Sequence, residues 1–236
     1  MSILFENCGI LAWKDGDFFP IQNGFLGIDS DTIDYIGTSR PSAHYDIVRD
    51  YSGRLLMPGL INCHCHAAMV LLRGVGSDLP LQEWLFDKVF PIEARLTEEI
   101  ISAGNELAMM EMIATGTTSF SDMYMQPYTL VKSNETIGMK ANLSTAVQCF
   151  NPQEKPEEND SVARSIKLYR DYHNVQSGRI RIDFSVHAEY TCTDAVTKYY
   201  AEQAKAFEGA RMHIHLSETE TEQRECIASH GCTPAA

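Results

Sequence analysis

Residues 58–66 read Pro58-Gly59-Leu60-Ile61-Asn62-Cys63-His64-Cys65-His66. The stretch Leu55–Cys63 is apolar around a Pro-Gly pair, and two histidines follow, two positions apart. In a strand, positions i and i+2 point to the same face, so His64 and His66 share one. Two imidazoles at a strand end can hold one divalent ion between them, and two polar residues can equally well just close a strand. Cys63 and Cys65 also have metal-binding chemistry. Alternation turns them to the other face, against covering helices, where thiols stay buried and unreactive.

Downstream, strand and helix signals alternate. Thr97–Thr115 is predicted as a helix, with Thr97 as N-cap, Glu98 and Glu99 in its first turn, and Ile100, Ile101, Leu107, Met110 and Ile113 at helical spacing. The Met-rich stretch 109–112 reads as core, and Gly116 stops the helix. A strand over Thr117–Phe120, a helix over Tyr128–Ile137 closed by Gly138, and a strand over Lys140–Val147 come next. After the polar loop Asn151–Asp160 come a helix, Ser161–Tyr172, and a strand, Arg179–His187. The pattern ends with a helix over Thr193–Phe207, a strand over Arg211–Leu216, and a helix over Glu220–His230 stopped by Gly231. This rhythm belongs to an α/β barrel or a doubly wound sheet. Residues 55–236 hold five such units, whereas a closed eight-unit barrel takes about 250 residues. The expectation is therefore the N-terminal part of a longer barrel protein.

Upstream, residues 1–55 hold short apolar runs broken by turn signals at Lys14-Asp15-Gly16-Asp17 and Asp29-Ser30-Asp31. That spacing predicts a small antiparallel sheet. The expected division is a β-rich subdomain over 1–55 and the start of a barrel over 56–236.

The 236 residues include 19 Lys and Arg against 32 Asp and Glu, a net charge of −13. Such acidity argues against a phosphate-backbone binder and against a polybasic membrane-surface protein. No stretch approaches the roughly 18 apolar residues of a membrane span, and the N-terminus lacks the basic region and cleavage site of a signal peptide. Seven scattered cysteines read as reduced thiols of a cytoplasmic protein.

Two further strand ends carry histidine. Met212-His213-Ile214-His215-Leu216-Ser217-Glu218 repeats the His-x-His pattern and adds a carboxylate. Glu218 is placed for acid–base work beside a metal-activated water, or is a solvated acid before the last helix. His213 reads as a barrel-interior histidine one layer deeper. His187, in Val186-His187-Ala188-Glu189, is a ligand, a substrate donor or a hydrogen-bonded structural residue. Three histidine-bearing strand ends on one sheet strengthen each other, because a barrel gathers such ends at one mouth.

Together with Leu71-Leu72-Arg73-Gly74-Val75, Leu79, Glu83-Trp84-Leu85 and Pro91-Ile92-Glu93, these motifs resemble the amidohydrolase superfamily. Within it, they resemble the 5-methylthioadenosine/S-adenosylhomocysteine deaminases and their chlorohydrolase-like relatives. The resemblance implies a (β/α)8 TIM-type barrel, here its first five βα units, with a small flanking β-sandwich. It implies one divalent metal ion, zinc or alternatively iron, held by His64, His66 and His215. It makes Glu218 the proton donor to a purine ring nitrogen, His187 a hydrogen-bond partner of the purine, Glu93 the holder of the ribose hydroxyls, and Trp84 a pocket wall. The family completes its site with a histidine on the sixth strand and an aspartate on the eighth, positions beyond these 236 residues, so this length alone is expected not to turn over. Where some relatives bind a homocysteine carboxylate with two arginines, Thr145 and Lys155 stand here, which favours a less charged substrate.

The activity so implied is hydrolytic deamination of an adenosine-like nucleoside, with release of ammonia. The partner is a small molecule, with no nucleic acid or membrane, and a homo-oligomer stays open. Alternatives are an aminohydrolase or chlorohydrolase of guanine, cytosine or triazine type, or an inactive fragment.

Overall fold

The turn signals near the N-terminus do what their residues allow. Strands β1 (Ser2–Lys14) and β2 (Asp17–Asp29) form an antiparallel hairpin. Its two turn residues, Asp15 and Gly16, both have positive φ, 55° and 89°, the backbone that matches the twist of paired strands. A second turn, at Ser30-Asp31, leads into the antiparallel β3 (Thr32–Gly37). The sheet is not wholly antiparallel, contrary to expectation. Strands β4 (Ile47–Asp50) and β5 (Leu55–Leu56) lie parallel to β1. Cys8, Ile10, Ala12 and Leu26 form the core on this sheet.

The computed structural model describes residues 1–236 and divides at Gly59 into two units, Met1–Gly59 and Leu60–Ala236. The apolar stretch Leu55–Cys63 is thus divided between two strands. Leu55–Leu56 pairs with β1, while β6 (Leu60–Cys65) starts a second sheet. Pro58 between them has no N–H to give a ladder.

The second unit is built on a parallel sheet. Its strands are β6, β7 (Thr117–Tyr124), β8 (Lys140–Val147), β9 (Ile180–Ile182), β10 (Phe184–Ala188) and β11 (Met212–His215). The order is β11-β10-β8-β7-β6, with β9 beside β8. β9 and β10 divide the predicted strand Arg179–His187 at Asp183, whose carboxylate accepts from Asn142 Nδ2 at 2.7 Å and from the Arg211 N–H at 3.0 Å. This curled sheet is a partial α/β barrel.

Five helices cover it: α1 (Glu98–Ala114), α2 (Pro127–Ile137), α3 (Asp160–Tyr172), α4 (Asp194–Ala204) and α5 (Glu220–His230). Side-chain caps start four of them. Thr97, Asn159, Thr193 and Thr219 accept the N–H of Ile100, Val162, Val196 and Glu222, each satisfying a donor the helix cannot. Gly138 and Gly231 end α2 and α5 with φ of 81° and 75°, the left-handed conformation of a C-terminal cap.

The packing of α1 overturns part of the sequence reading. Ile101, Gly104, Asn105, Ala108 and Met109 are its buried face, while Ile100, Leu107, Met110 and Ile113 are exposed. Small residues let the helix approach closely: a Cβ on Gly104 would lie 2.7 Å from the Ala68 carbonyl. The main core gathers Met109, Phe120, Leu130, Leu143, Leu168, Ile180 and Ile182.

Candidate active site

The carboxyl ends of the strands surround a cavity of about 300 Å³. His64, His66, Trp84, Glu93, His187, His215 and Glu218 all line it. The structure therefore brings every predicted site residue to one place.

The three predicted ligands converge most tightly. His215 Nε2 is 3.0 Å from His64 Nε2 and 3.2 Å from His66 Nε2. Two of the three rings, His66 and His64, are held from behind, while His215 Nδ1 is buried without a partner. His66 Nδ1 donates to the Met123 carbonyl, which leaves the Nε2 lone pair facing the cluster. His64 Nδ1 sits 2.9 Å from His213 Nε2. His213 lies in the deeper layer, lining a separate cavity of about 570 Å³ with Asn142, Arg181 and Asp183. Its contact with His64 was not foreseen in the sequence.

Burial pushes His66 and His187 down to about 4 and also lowers His64 and His215. The rings are neutral at neutral pH, the form that ligates metal. Three lone pairs pointed at one spot repel unless a cation joins them. Tetrahedral zinc with about 2.0–2.1 Å bonds sets ligand nitrogens roughly 3.3 Å apart, close to the spacing here. The residues present fit a divalent ion.

The cysteines take no part in the cluster. Cys65 is partly buried, with burial and the Asp122 carboxylate pushing its thiol up. Cys63 is exposed, at the open cavity that His213 also lines, which corrects the expectation that both are buried.

Two acids that hold the site in shape went unread. Asp122, on β7 and 1% exposed, accepts the Ala67 N–H at 2.6 Å and so fixes the turn that follows His66. Burial pushes its carboxyl up to about 7. Glu222, 2% exposed, accepts the N–H groups of Ser217 and Glu218 and stiffens the loop that carries Glu218. The Thr219-x-x-Glu222 spacing was the available signal, although Glu222 bonds to residues 217 and 218. Glu218 itself accepts from the Tyr190 hydroxyl at 3.0 Å.

The opposite wall comes from the loop after β6. A 3-10 turn (Ala67–Leu72) leads to a helical run, Leu81–Glu93, that contains a wide π turn at Trp84–Val89. Pro91 has no N–H to continue an α-helical ladder there. The run brings Trp84, Leu85, Val89, Phe90 and Glu93 to the cavity. The Trp84 indole N–H donates to the Val75 carbonyl at 2.9 Å, which fixes the ring as a wall. Glu93 is buried, and that burial pushes its carboxyl up. His187 Nδ1 lies 3.0 Å from the Thr191 hydroxyl. Thr145 is buried away from the cavity, and Lys155 is exposed, paired to Glu158 at 2.8 Å.

A parallel barrel-type sheet with imidazoles converging at its strand ends defines an α/β protein equipped for a divalent metal. The amidohydrolase family matches residues 55–234, and the chain belongs to that family. It is 35% identical over 235 residues to the 5-methylthioadenosine/S-adenosylhomocysteine deaminase of Thermoanaerobacter pseudethanolicus, covering 99% of this chain and 53% of that protein. It is 36% identical over 214 residues to the 5'-deoxyadenosine deaminase of Methanothermobacter thermautotrophicus, covering 91% and 49%. The chain thus spans about half the length of the curated relatives it matches. Among solved structures, the zinc complex of atrazine chlorohydrolase from Arthrobacter aurescens aligns with a TM-score of 0.85 at 16% identity, covering 99% of this chain and 56% of that one. A zinc-bound adenosine deaminase from Xanthomonas campestris aligns at 0.80 and 24% identity, covering 99% and 53%. These structural likenesses speak for the fold. No helix is long and apolar enough to cross a membrane.

Proposed function

We propose that this chain carries the metal-binding and substrate-binding half-site of a hydrolytic deaminase acting on an adenosine-like nucleoside. The observation that carries the reading is the convergence of His64, His66 and His215 within 3.2 Å of the His215 Nε2, at a cavity that also holds Glu218. The identity of about 35% to nucleoside deaminases supports the substrate class.

In this reading His64, His66 and His215 hold the ion, with zinc favoured by the all-nitrogen set. When bound, the ion supplies Lewis acidity that makes water a nucleophile at neutral pH. Glu218 delivers a proton to the ring nitrogen next to the attacked carbon, and the Tyr190 hydroxyl holds its carboxylate in place meanwhile. His187 gives a hydrogen bond to the purine. In that role the Thr191 hydroxyl donates its hydrogen bond to Nδ1 in place of the Ala188 carbonyl, which leaves Nε2–H free to donate. Glu93 takes the ribose hydroxyls, and the Trp84 ring excludes water from one side of the pocket. One proton of the attacking water reaches the ring nitrogen through Glu218 and the other reaches the amino group, which departs as ammonia and leaves the inosine-type ring. Because neither Thr145 nor Lys155 reaches the cavity, a neutral 5'-substituent is favoured over a homocysteine carboxylate.

The test is ammonia release by zinc-loaded protein of measured intact mass. The substrates are 5-methylthioadenosine, 5'-deoxyadenosine, S-adenosylhomocysteine, guanine and a chlorotriazine. For a preparation of 26.5 kDa, zinc stoichiometry and nucleoside binding are read instead. Preference for the neutral adenosine derivatives is the expected result. Guanine or triazine as the preferred compound would overturn the substrate class.

A further inference from the structure

A second group of metal-binding side chains lies outside the cavity. Glu189 follows β10, and Cys226 and His230 sit four residues apart on α5, so the two helical side chains share a face. Their ligand atoms (a carboxylate oxygen, Sγ and an imidazole nitrogen) all lie within 4.8 Å of one another. His230 Nε2 is 3.4 Å from Glu189 Oε1 and 3.8 Å from Asp194 Oδ1. Cys226 is buried at the base, while the Glu189 and His230 side chains remain 29% and 35% exposed, which leaves an entry path. None of the three lines the active-site cavity.

We propose that Glu189, Cys226 and His230 form a second metal site, for a zinc-class transition ion, that ties the loop after β10 to α5. The mixed N, O and S donor set selects such an ion over magnesium or calcium, which take oxygen ligands. Asp194 Oδ1 is the nearest further donor. The charge balance agrees. Glu189 and Asp194 crowd a buried thiol, and Lys198 reaches only Asp194, at 3.3 Å. A divalent ion offsets that negative charge, and Cys226 releases its proton to solvent as it becomes the thiolate ligand. The consequence is positional. The tied loop directly follows His187 on β10 and carries Tyr190, and α5 carries Glu222, which holds the backbone of Glu218. An ion here would brace both sides of the proton-transfer machinery without touching the substrate.

Cobalt distinguishes the two sites, because the first has three imidazoles and no thiolate. Metal-free protein titrated with Co²⁺ should bind two equivalents, one of them giving a near-ultraviolet thiolate-to-cobalt charge-transfer band. Cys226→Ser should remove the band and one equivalent. His230→Asn, a change at a partly exposed side chain, should weaken that equivalent at least tenfold. His215→Asn should leave the band in place. The proposal is overturned by a single equivalent without a thiolate band, which would make the group an ordinary ion pair at a helix end. It is also overturned if His230→Asn leaves the second equivalent unchanged, or if the band survives Cys226→Ser and vanishes in Cys65→Ser or Cys232→Ser.

Discussion

Two glutamates four residues apart divide the work at one loop. Glu218 faces the cavity, and Glu222 grips the backbone beneath it. On the proposed deaminase reading, Glu218→Gln removes the transferable proton, so ammonia release by an active preparation should fall by about 10²–10⁴, with zinc affinity unchanged in calorimetry. Glu222→Gln weakens two backbone N–H hydrogen bonds to a buried carboxylate, at a cost of roughly 1.5–3 kcal/mol readable in urea unfolding. Histidine protonation gives a pH prediction for the metal-free protein. His66 and His187 are held at about 4, below their ordinary 6.5, because burial disfavours the cation. A depressed folded-state value means stability that is present above pH 6.5 and lost as pH falls toward 4. The urea midpoint should therefore drop across that window, and His187→Asn should flatten the fall.

Helix α1 packs behind the histidine cluster, against the turn that follows His66. Gly104 lets the helix settle on the turn Ala67–Leu72, directly after His66. Gly104→Val places branched carbon against the Ala68 carbonyl and should cost about 1–3 kcal/mol. The displaced turn should also weaken zinc binding, measured by competition with a chelator. The same helix shows how far sequence reading reached. Its start and stop were legible, because Thr97 and Gly116 act through the local backbone. Its buried face was not. Ile100, Leu107, Met110 and Ile113 have the spacing of a core stripe but lie exposed, while Gly104 and Ala108 are buried. Close approach selects small residues, and hydrophobic spacing cannot report that. The π turn at Trp84–Val89 was equally hidden, since motif residues showed what the loop contains but not how it coils.

At the largest scale, β6 and β11 lie at the two ends of the strand order within residues 1–236. Leu60 and Ile61 on β6 are 54% and 69% exposed. Unpaired edges with apolar side chains invite strand-to-strand association. For a preparation of residues 1–236 alone, concentration-dependent self-association is expected in sedimentation, and Ile61→Lys should reduce it. The net charge of −13 opposes that association through long-range repulsion, so added salt should promote it by screening.

The sequence by itself determined the β-then-α order, the helix caps, and the histidines that meet at the cavity. Each of these follows from local chemistry: strand alternation, backbone capping and the ligand character of imidazole. Only the tertiary structure decided which acids hold the site. Asp122 and Glu222 act on N–H groups of turns that exist only once β7 and α5 are in place. It also decided that Glu189, on a strand end, meets Cys226 and His230 on a helix more than thirty residues away. A buried carboxylate or a clustered thiol takes its role from its neighbours in space, and no local spacing in the chain encodes them.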